Sequence, residues 1–193
     1  MVKNYTDKQL LDRVKKLPTF SSIPLGLWIL GVRSSADLPN QFDDKFYIFR
    51  GEKFLQVLTG TTHPGTTILR NHYKYNSKGA AVVMADRWYY DLWVYGKHKG
   101  KMPALLQLGN KITVYRDGDK DNKAEEIGEI QTGFFGINFH TNNYDLNTKL
   151  TKTEINDWSA GCQVANQVMK YRDLMQLFEK EKGKFTYCLI KEF

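Results

Sequence analysis

The chain has 193 residues, 41% of them hydrophobic and 13% aromatic, with 25% charged. That is enough apolar material for one domain with a sizeable core, and it excludes a disordered or low-complexity chain. The formal charge of +7 favours anionic partners (nucleic acid, anionic lipid or an acidic wall polymer), but lysines are spread along the chain and only "KHKGK" (97–101) and "KEKGK" (180–184) are dense, which reads as a solvated basic surface.

In chain order, Thr6 followed by Gln9 fits a capping box, and Leu10, Leu11, Val14 and Leu17 share one helical face. This predicts a short amphipathic helix ending before Pro18. The first residues lack the apolar segment of a signal peptide. The longest apolar run, "IPLGLWILGV" (23–32), is too short to span a membrane and holds Pro24 and two glycines, so it reads as a core strand. No signal peptide and no transmembrane segment are expected, and the site of action stays open.

After the helix the pattern is mainly β. "GLWILGVR", "KFYIF", "KFLQVLTG", "AAVVMA", "ITVYR" and "GFFGINFH" are short apolar or alternating runs separated by Gly, Asn, Asp and Pro clusters. The segment "GTTHPGTTILRNH" (60–72), with His63 and His72, reads as a polar, turn-rich loop. In "RDGDKDNKAEE" (116–126), Asp117, Asp119 and Asp121 alternate as at the start of a calcium loop. The sixth position is Asn122 rather than Gly, and the twelfth is Gly128 rather than Glu, so a solvated hairpin turn is expected. No metal or cofactor is called for.

Asn166 is a good N-cap for a second helix, with Val168, Tyr171, Met175 and Phe178 as its stripe, Leu174 and Leu177 beside them, and Gly183 as its stop. "KFTYCLIKEF" then alternates as a final strand that holds Cys188 as a buried structural cysteine. Two cysteines are too few for a disulfide framework.

Cys162 is the other cysteine, in "WSAGCQVAN" (158–166), at the junction of a small-residue turn and the expected helix. There a helix dipole and free backbone N–H groups would favour its thiolate. Gly161 permits a tight turn, and N–H groups there could form an oxyanion hole. All four histidines (63, 72, 98 and 140) precede Cys162, an order opposite to that of papain-like and NlpC-type peptidases. No HExxH is present. His140 ends the run "FFGINFH", so it projects from a strand end as a candidate base. His98 is the second-choice base. Asn138 shares the His140 face of a strand, Trp158 walls a cleft or packs under the turn, and Arg116 and Arg172 are candidate carboxylate binders.

"GINFHT", then "SAGCQV" after 18 intervening residues between His140 and Ser159, resembles the signature of the L,D-transpeptidase (YkuD-like) catalytic domain, in a branch with SAGC in place of SHGC. The resemblance covers about residues 136–166, and Ala160 stands where the family has its second histidine. It implies a single domain over 1–193, with residues 1–20 a helix or small appendage. The implied fold is mainly β with a few helices (α+β), a β-sandwich or barrel with a helix following the cysteine. It implies Cys162 as nucleophile of a thioacyl enzyme and His140 as base, its ring oriented by the main chain of Thr141. Gly161 and Cys162 would be oxyanion donors and Ser159 the brace of the turn. The implied substrate is the peptide stem of peptidoglycan, with an amine as acceptor in transpeptidation or water in hydrolysis.

The competing enzyme reading is a sortase-like transpeptidase, which wants a strand ending in Cys and an Arg on the next strand. The rival from another class is a non-catalytic wall-binding or virion module on the same scaffold. No nucleic-acid-binding motif appears.

Overall fold

The computed structural model describes residues 1–193. Helix α1 (Asp7–Val14) begins at the capping box: Gln9 N–H donates to the Thr6 hydroxyl at 3.3 Å, and Thr6 N–H donates to the Gln9 side-chain oxygen at 2.9 Å. Two otherwise orphaned donors are thereby satisfied. The strands follow as β1 (Leu27–Arg33), β2 (Asp44–Arg50) and β3 (Lys53–Thr61); then α2 (Thr66–Arg70), a 3₁₀ turn (His72–Lys74) and β4 (Ala80–Val83). After these come β5 (Arg87–His98), β6 (Met102–Leu106), β7 (Ile112–Asp117), β8 (Glu129–Gly133), β9 (Phe139–Thr141), β10 (Gln163–Ala165), α3 (Val168–Glu181) and β11 (Lys184–Lys191).

Eight of these strands close into a barrel in the spatial order β1, β11, β5, β6, β9, β10, β3, β2. Closure leaves no unpaired edge. Pairings are antiparallel except β1 with β11 and β9 with β10, which run parallel. A second sheet, β4–β7–β8, shares no strand pairing with the ring. The chain is therefore an α+β domain of β-rich class.

Alternation along the strands sets the two faces of the wall. Ile29, Phe46, Ile48, Trp93, Phe139, Tyr187 and Leu189 belong to the main core, joined by Ala81, Val83, Ile112 and Val114 from the second sheet. Tyr171, Leu174, Met175 and Phe178 of α3 pack into that same core. Trp28, Leu30, Val32, Tyr47, Phe49, Trp88, Cys188 and Ile190 form a separate cluster with Leu10, Leu11 and Val14 of α1. Strand β1 is thus buried along its whole length, which is why its sequence is continuously apolar rather than alternating. Within the first 20 residues only Asp7–Val14 is helical, and it packs on the barrel wall through Leu10, Leu11 and Val14.

Four expectations are corrected. The helix does not follow the cysteine directly, because β10 intervenes, paired to β9 and β3 on its two sides. Asn166 is not the helix cap: its side chain accepts from the Thr59 hydroxyl at 2.5 Å and donates to Lys152 O, while Gln167 takes the cap position without a capping bond, its side-chain oxygen accepting from Thr59 N–H at 3.1 Å instead. The 60–72 loop contains α2, whose Ile68 and Leu69 are buried against Ala80 and Val82. Finally, β5, the longest strand, and β6 were not among the predicted runs. "RWYYDLWVYGKH" is buried on parts of both faces, and its Asp91 sits at φ 54°, so period-two alternation is lost.

Thr6→Ala should cost about 1 kcal/mol through the cap. Phe178→Ala, at a fully buried position, should cost about 3–5 kcal/mol. Urea denaturation of each variant with an unchanged slope checks both.

Candidate active site

The segments "INFHT" and "GCQVA" meet as the parallel pair β9 and β10. The register places Gln163 opposite Phe139, Val164 opposite His140 and Ala165 opposite Thr141, and Gln163 N–H donates to Asn138 O at 2.8 Å. Phe139 points inward, its ring 5.1 Å from that of Phe46 and 5.9 Å from that of Trp93. Gln163 points inward too, accepting from the buried Tyr187 hydroxyl at 2.5 Å. Asn138, His140, Cys162 and Val164 therefore share the outer face. Strand spacing and rise put Cys162 one diagonal step from His140, about 8 Å between Cα atoms; the two side chains make no hydrogen bond to each other, the thiol turning to Gly136 O and His140 Nε2 having no partner.

The turn before Cys162 is fixed by sterics and by paired hydrogen bonds. Gly161 has φ 125°, and a Cβ there would lie 2.6 Å from Ala81 O, so only glycine fits. The Ser159 hydroxyl donates to Cys162 O at 2.8 Å and accepts from Gly161 N–H at 3.2 Å. The Gln163 amide donates to Gly161 O at 3.1 Å. This corrects one expectation: the Gly161 N–H proposed for an oxyanion hole is already committed to Ser159. The Cys162 N–H makes no hydrogen bond within the chain.

His140 is 2% exposed. Its Nδ1 lies 2.8 Å from Thr141 O; a carbonyl can only accept, so Nδ1 carries the proton and Nε2 presents its lone pair. That Nε2 is buried and has no partner. The His98 ring stacks on it, centroid to centroid 4.2 Å. Asn138 fixes the tautomer of His98. Its side-chain oxygen accepts from Gln107 N–H at 2.8 Å, which turns its amide nitrogen toward His98 Nδ1 at 3.1 Å. His98 Nδ1 is then an acceptor, and its proton sits on Nε2.

Burial drives the electrostatics. Desolvation first, then the neighbouring His98, lower the His140 imidazole to about 3. Desolvation first, then Lys99, also lower His98. The half-buried Cys162 thiol is pushed up to about 11 by desolvation, opposed by a backbone hydrogen bond from Asn138. Its Sγ–H donates to Gly136 O at 3.5 Å. At neutral pH the site thus rests as neutral thiol and neutral imidazole. With β10 between Cys162 and α3, the helix dipole that was expected to favour the thiolate does not reach the sulfur, since such effects fade beyond the first turn.

A cavity of about 110 Å³ opens on the histidines, lined by His98, Lys99, His140, Tyr144, Asp157 and Trp158. Trp158 stands as its wall, its ring 5.4 Å from that of Tyr144 and capped by Lys152 at 4.1 Å. A second cavity of about 300 Å³ holds Ala160 and Arg116 with Ile68, Phe135 and Ile137. Arg116 is buried, stacked on Phe135 at 4.6 Å and bonded to Gln131 at 2.8 Å. Arg172 lines neither cavity; on α3 it bonds Asp173 and Asn147. His63 pairs with Asp37 at 3.0 Å, and His72 Nδ1 meets Asn76 O at 3.0 Å, both away from Cys162. Cys188 is a free, buried thiol in β11.

Sequence reasoning missed Gln107, Tyr144 and Lys99. Gln107 accepts from both Phe135 N–H and Ile137 N–H and donates to Gly133 O, anchoring the approach to β9; nothing local in "LLQLGN" marks that role. Comparisons with family models, curated proteins and solved structures find no match to this chain. No helix is long and apolar enough to cross a membrane.

Two pH effects follow. Between about pH 6.5 and 3 the unfolded chain binds a proton at His140 that the native state refuses, so stability falls as pH is lowered through that window. His140→Asn should reduce the slope by close to one proton, about 1.4 kcal/mol per pH unit. Above about pH 9 the unfolded chain loses the Cys162 proton that the native state keeps to about 11, so stability falls as pH rises there, and Cys162→Ala should flatten that limb. Urea titrations across pH read both slopes.

Proposed function

We propose that the protein is a cysteine acyl-transfer enzyme acting on peptidoglycan stem peptides, related to the L,D-transpeptidase domain that its motif resembles. The observation that carries this reading is the His140 Nδ1 bond to Thr141 O. It leaves Nε2 as an unpartnered acceptor one diagonal step from a half-exposed thiol on the same face. Nucleophile and oriented base are the two parts that covalent acyl transfer needs.

In this reading Cys162 Sγ attacks the carbonyl of an L-to-D peptide bond while its proton passes to His140 Nε2. Prior proton transfer is strongly uphill from a thiol near 11 to an imidazole near 3, so transfer accompanies C–S bond formation. The oxyanion accepts from the free Cys162 N–H. The imidazolium, held at low pKa, then readily protonates the departing amine of the D-residue, leaving a thioester. Water or a second amine, deprotonated by His140, releases the acyl group as a hydrolysed or cross-linked product. Lys99, Lys101 and Lys152, set against Tyr144 and Trp158, suit the carboxylates of an acidic stem peptide. Ala160 in place of a second histidine leaves His140 as the one base of the motif, and the stacked His98 supports its ring.

A second reading, a non-catalytic wall-binding module, is favoured by the resting thiol bonded to Gly136 O rather than to His140. Purified muropeptides followed by mass spectrometry separate the two: loss of a D-residue or a new cross-link supports the enzyme, and no product supports the binder. Cys162→Ala should abolish turnover, and His140→Ala should lower it about 10²- to 10⁴-fold. Iodoacetamide will prefer Cys162 because Cys188 is wholly buried, so selectivity alone does not decide. The informative result is a slower rate in His140→Ala, and an unchanged rate removes His140 from the base role.

A further inference from the structure

Strand β7 turns alternate residues toward the barrel, and its Ile112 and Val114 enter the main core. The next residue on that face is not apolar. Arg116 is 6% exposed and borders the cavity of about 300 Å³ between the second sheet and the cysteine turn. The other walls are mainly apolar, with Ile68, Ala81, Phe135, Ile137 and Ala160 among them. Ala81 is paired with Arg116 across the sheet, and its methyl leaves room that a larger side chain would take from the guanidinium. A Cβ on Gly161 would meet Ala81 and Ile137, so the cavity adjoins the turn that carries Cys162.

The guanidinium is short of acceptors. Of the five N–H donors an arginine carries, the chain engages one: Nε–H donates to the Gln131 side-chain oxygen at 2.8 Å. Nη1 and Nη2 bond to nothing in the chain, and no carboxylate forms an ion pair with Arg116. Glu129, the carboxylate whose charge acts on it, is held by Lys78 at 2.9 Å and by the Gln131 amide at 3.0 Å. Phe135 stacks on the guanidinium at 4.6 Å, which fixes its plane and leaves its edge for a planar acceptor. The two terminal nitrogens are not sealed in, as His72 Nε2 is; they open on the cavity. A charge taken out of water without a paired anion is costly, and desolvation, opposed by Glu129, lowers this group from its ordinary value.

We propose that this cavity is a binding site for a small monocarboxylate with a compact apolar body, its two oxygens held by Nη1 and Nη2 of Arg116. A planar two-oxygen anion matches the arginine fork and supplies the acceptors that the chain does not. The apolar walls take the body of the ligand. They also select against a strongly hydrated anion such as phosphate, whose lost water they cannot replace. A volume of about 300 Å³ lies at the small end of ligand pockets, which limits the body to a short or single-ring group. The binding does not depend on the acyl-transfer reading. One consequence does rest on it: beside the cysteine turn, the cavity would receive a carboxylate-bearing part of the substrate next to the attacked carbonyl.

The test is a fluorine NMR titration of the intact chain with 4-(trifluoromethyl)benzoate to about 10 mM, above the dissociation constant on the order of 1 mM that a ligand of this size allows. The expected result is saturable binding. The neutral 4-(trifluoromethyl)benzamide should bind about tenfold or more weakly, and inorganic phosphate should fail to displace the carboxylate. Arg116→Met, which keeps the bulk of the stem, should fold by circular dichroism and lose the preference for carboxylate over amide. Ala160→Leu, which fills the cavity from another wall and leaves Arg116 in place, should bind neither probe. Cys162→Ala should bind the carboxylate as the parent does, whether or not the chain performs acyl transfer. No saturable binding in the parent overturns the assignment. So does unchanged carboxylate affinity in Arg116→Met or, should that variant not fold, in Ala160→Leu. Equal binding of the amide, or displacement by phosphate at matching concentration, overturns the class of ligand.

Discussion

Closure of the barrel passes through its two shortest strands, and the rest of the architecture depends on that joint holding. Strands β9 and β10 contribute three residues each, and β9 meets β6 at the single pair of Leu105 with Phe139. Ladder hydrogen bonds that few would leave the ring weakly sealed. The deficit is met by core side chains that bond to the backbone of this segment. Gln107 holds Phe135 and Ile137, the Trp93 indole donates to Ile137 O at 2.8 Å, and the Tyr171 hydroxyl reaches Phe139 O at 3.3 Å. Across the lumen, Tyr187 bonds Gln163, which in turn holds Gly161 O. Each of these polar groups is buried and satisfied, which makes the joint specific as well as closed.

The same joint sets the chemistry of the outer face. Because Phe139 and Gln163 must face inward to seal the ring, His140 and Cys162 must face outward on neighbouring strands. Pinning the backbone at Thr141 and Ser159 then fixes the imidazole tautomer and the shape of the cysteine turn. The burial that gives this rigidity also disfavours charge, so thiol and imidazole both rest neutral. An ion pair formed in advance, as in thiol enzymes with a depressed cysteine pKa, does not fit this environment. Any acyl transfer here has to create charge during bond formation, when substrate dipoles and the free Cys162 N–H can share it.

Much of the architecture was legible in local sequence. The capping box of α1 depends on residues three apart, and the apolar stripe of α3 on helical periodicity, and both are readable without knowledge of the fold. Strand β5 was not, because its two faces meet different neighbours and Asp91 interrupts it. Asn166 was misread because an N-cap preference is a local tendency, and here Thr59 from the adjoining strand claims the side chain. The small residues of "SAGC" announced a tight turn correctly, but the helix expected right after it was displaced by a three-residue strand whose partners lie more than twenty residues upstream.

The sequence by itself determined the β-rich class, the two amphipathic helices, and a cysteine in a glycine turn downstream of a histidine at a strand end. These follow from short-range spacing and from the steric freedom of glycine. Only the tertiary structure decided that Cys162 and His140 share a face, that Gly161 N–H is taken by Ser159, and that His98 stacks on His140. It also decided that Arg116 is buried in a cavity with Ala160. Each of these depends on strand register and on barrel closure, and register is set by which side chains the core accepts, information that no single segment contains.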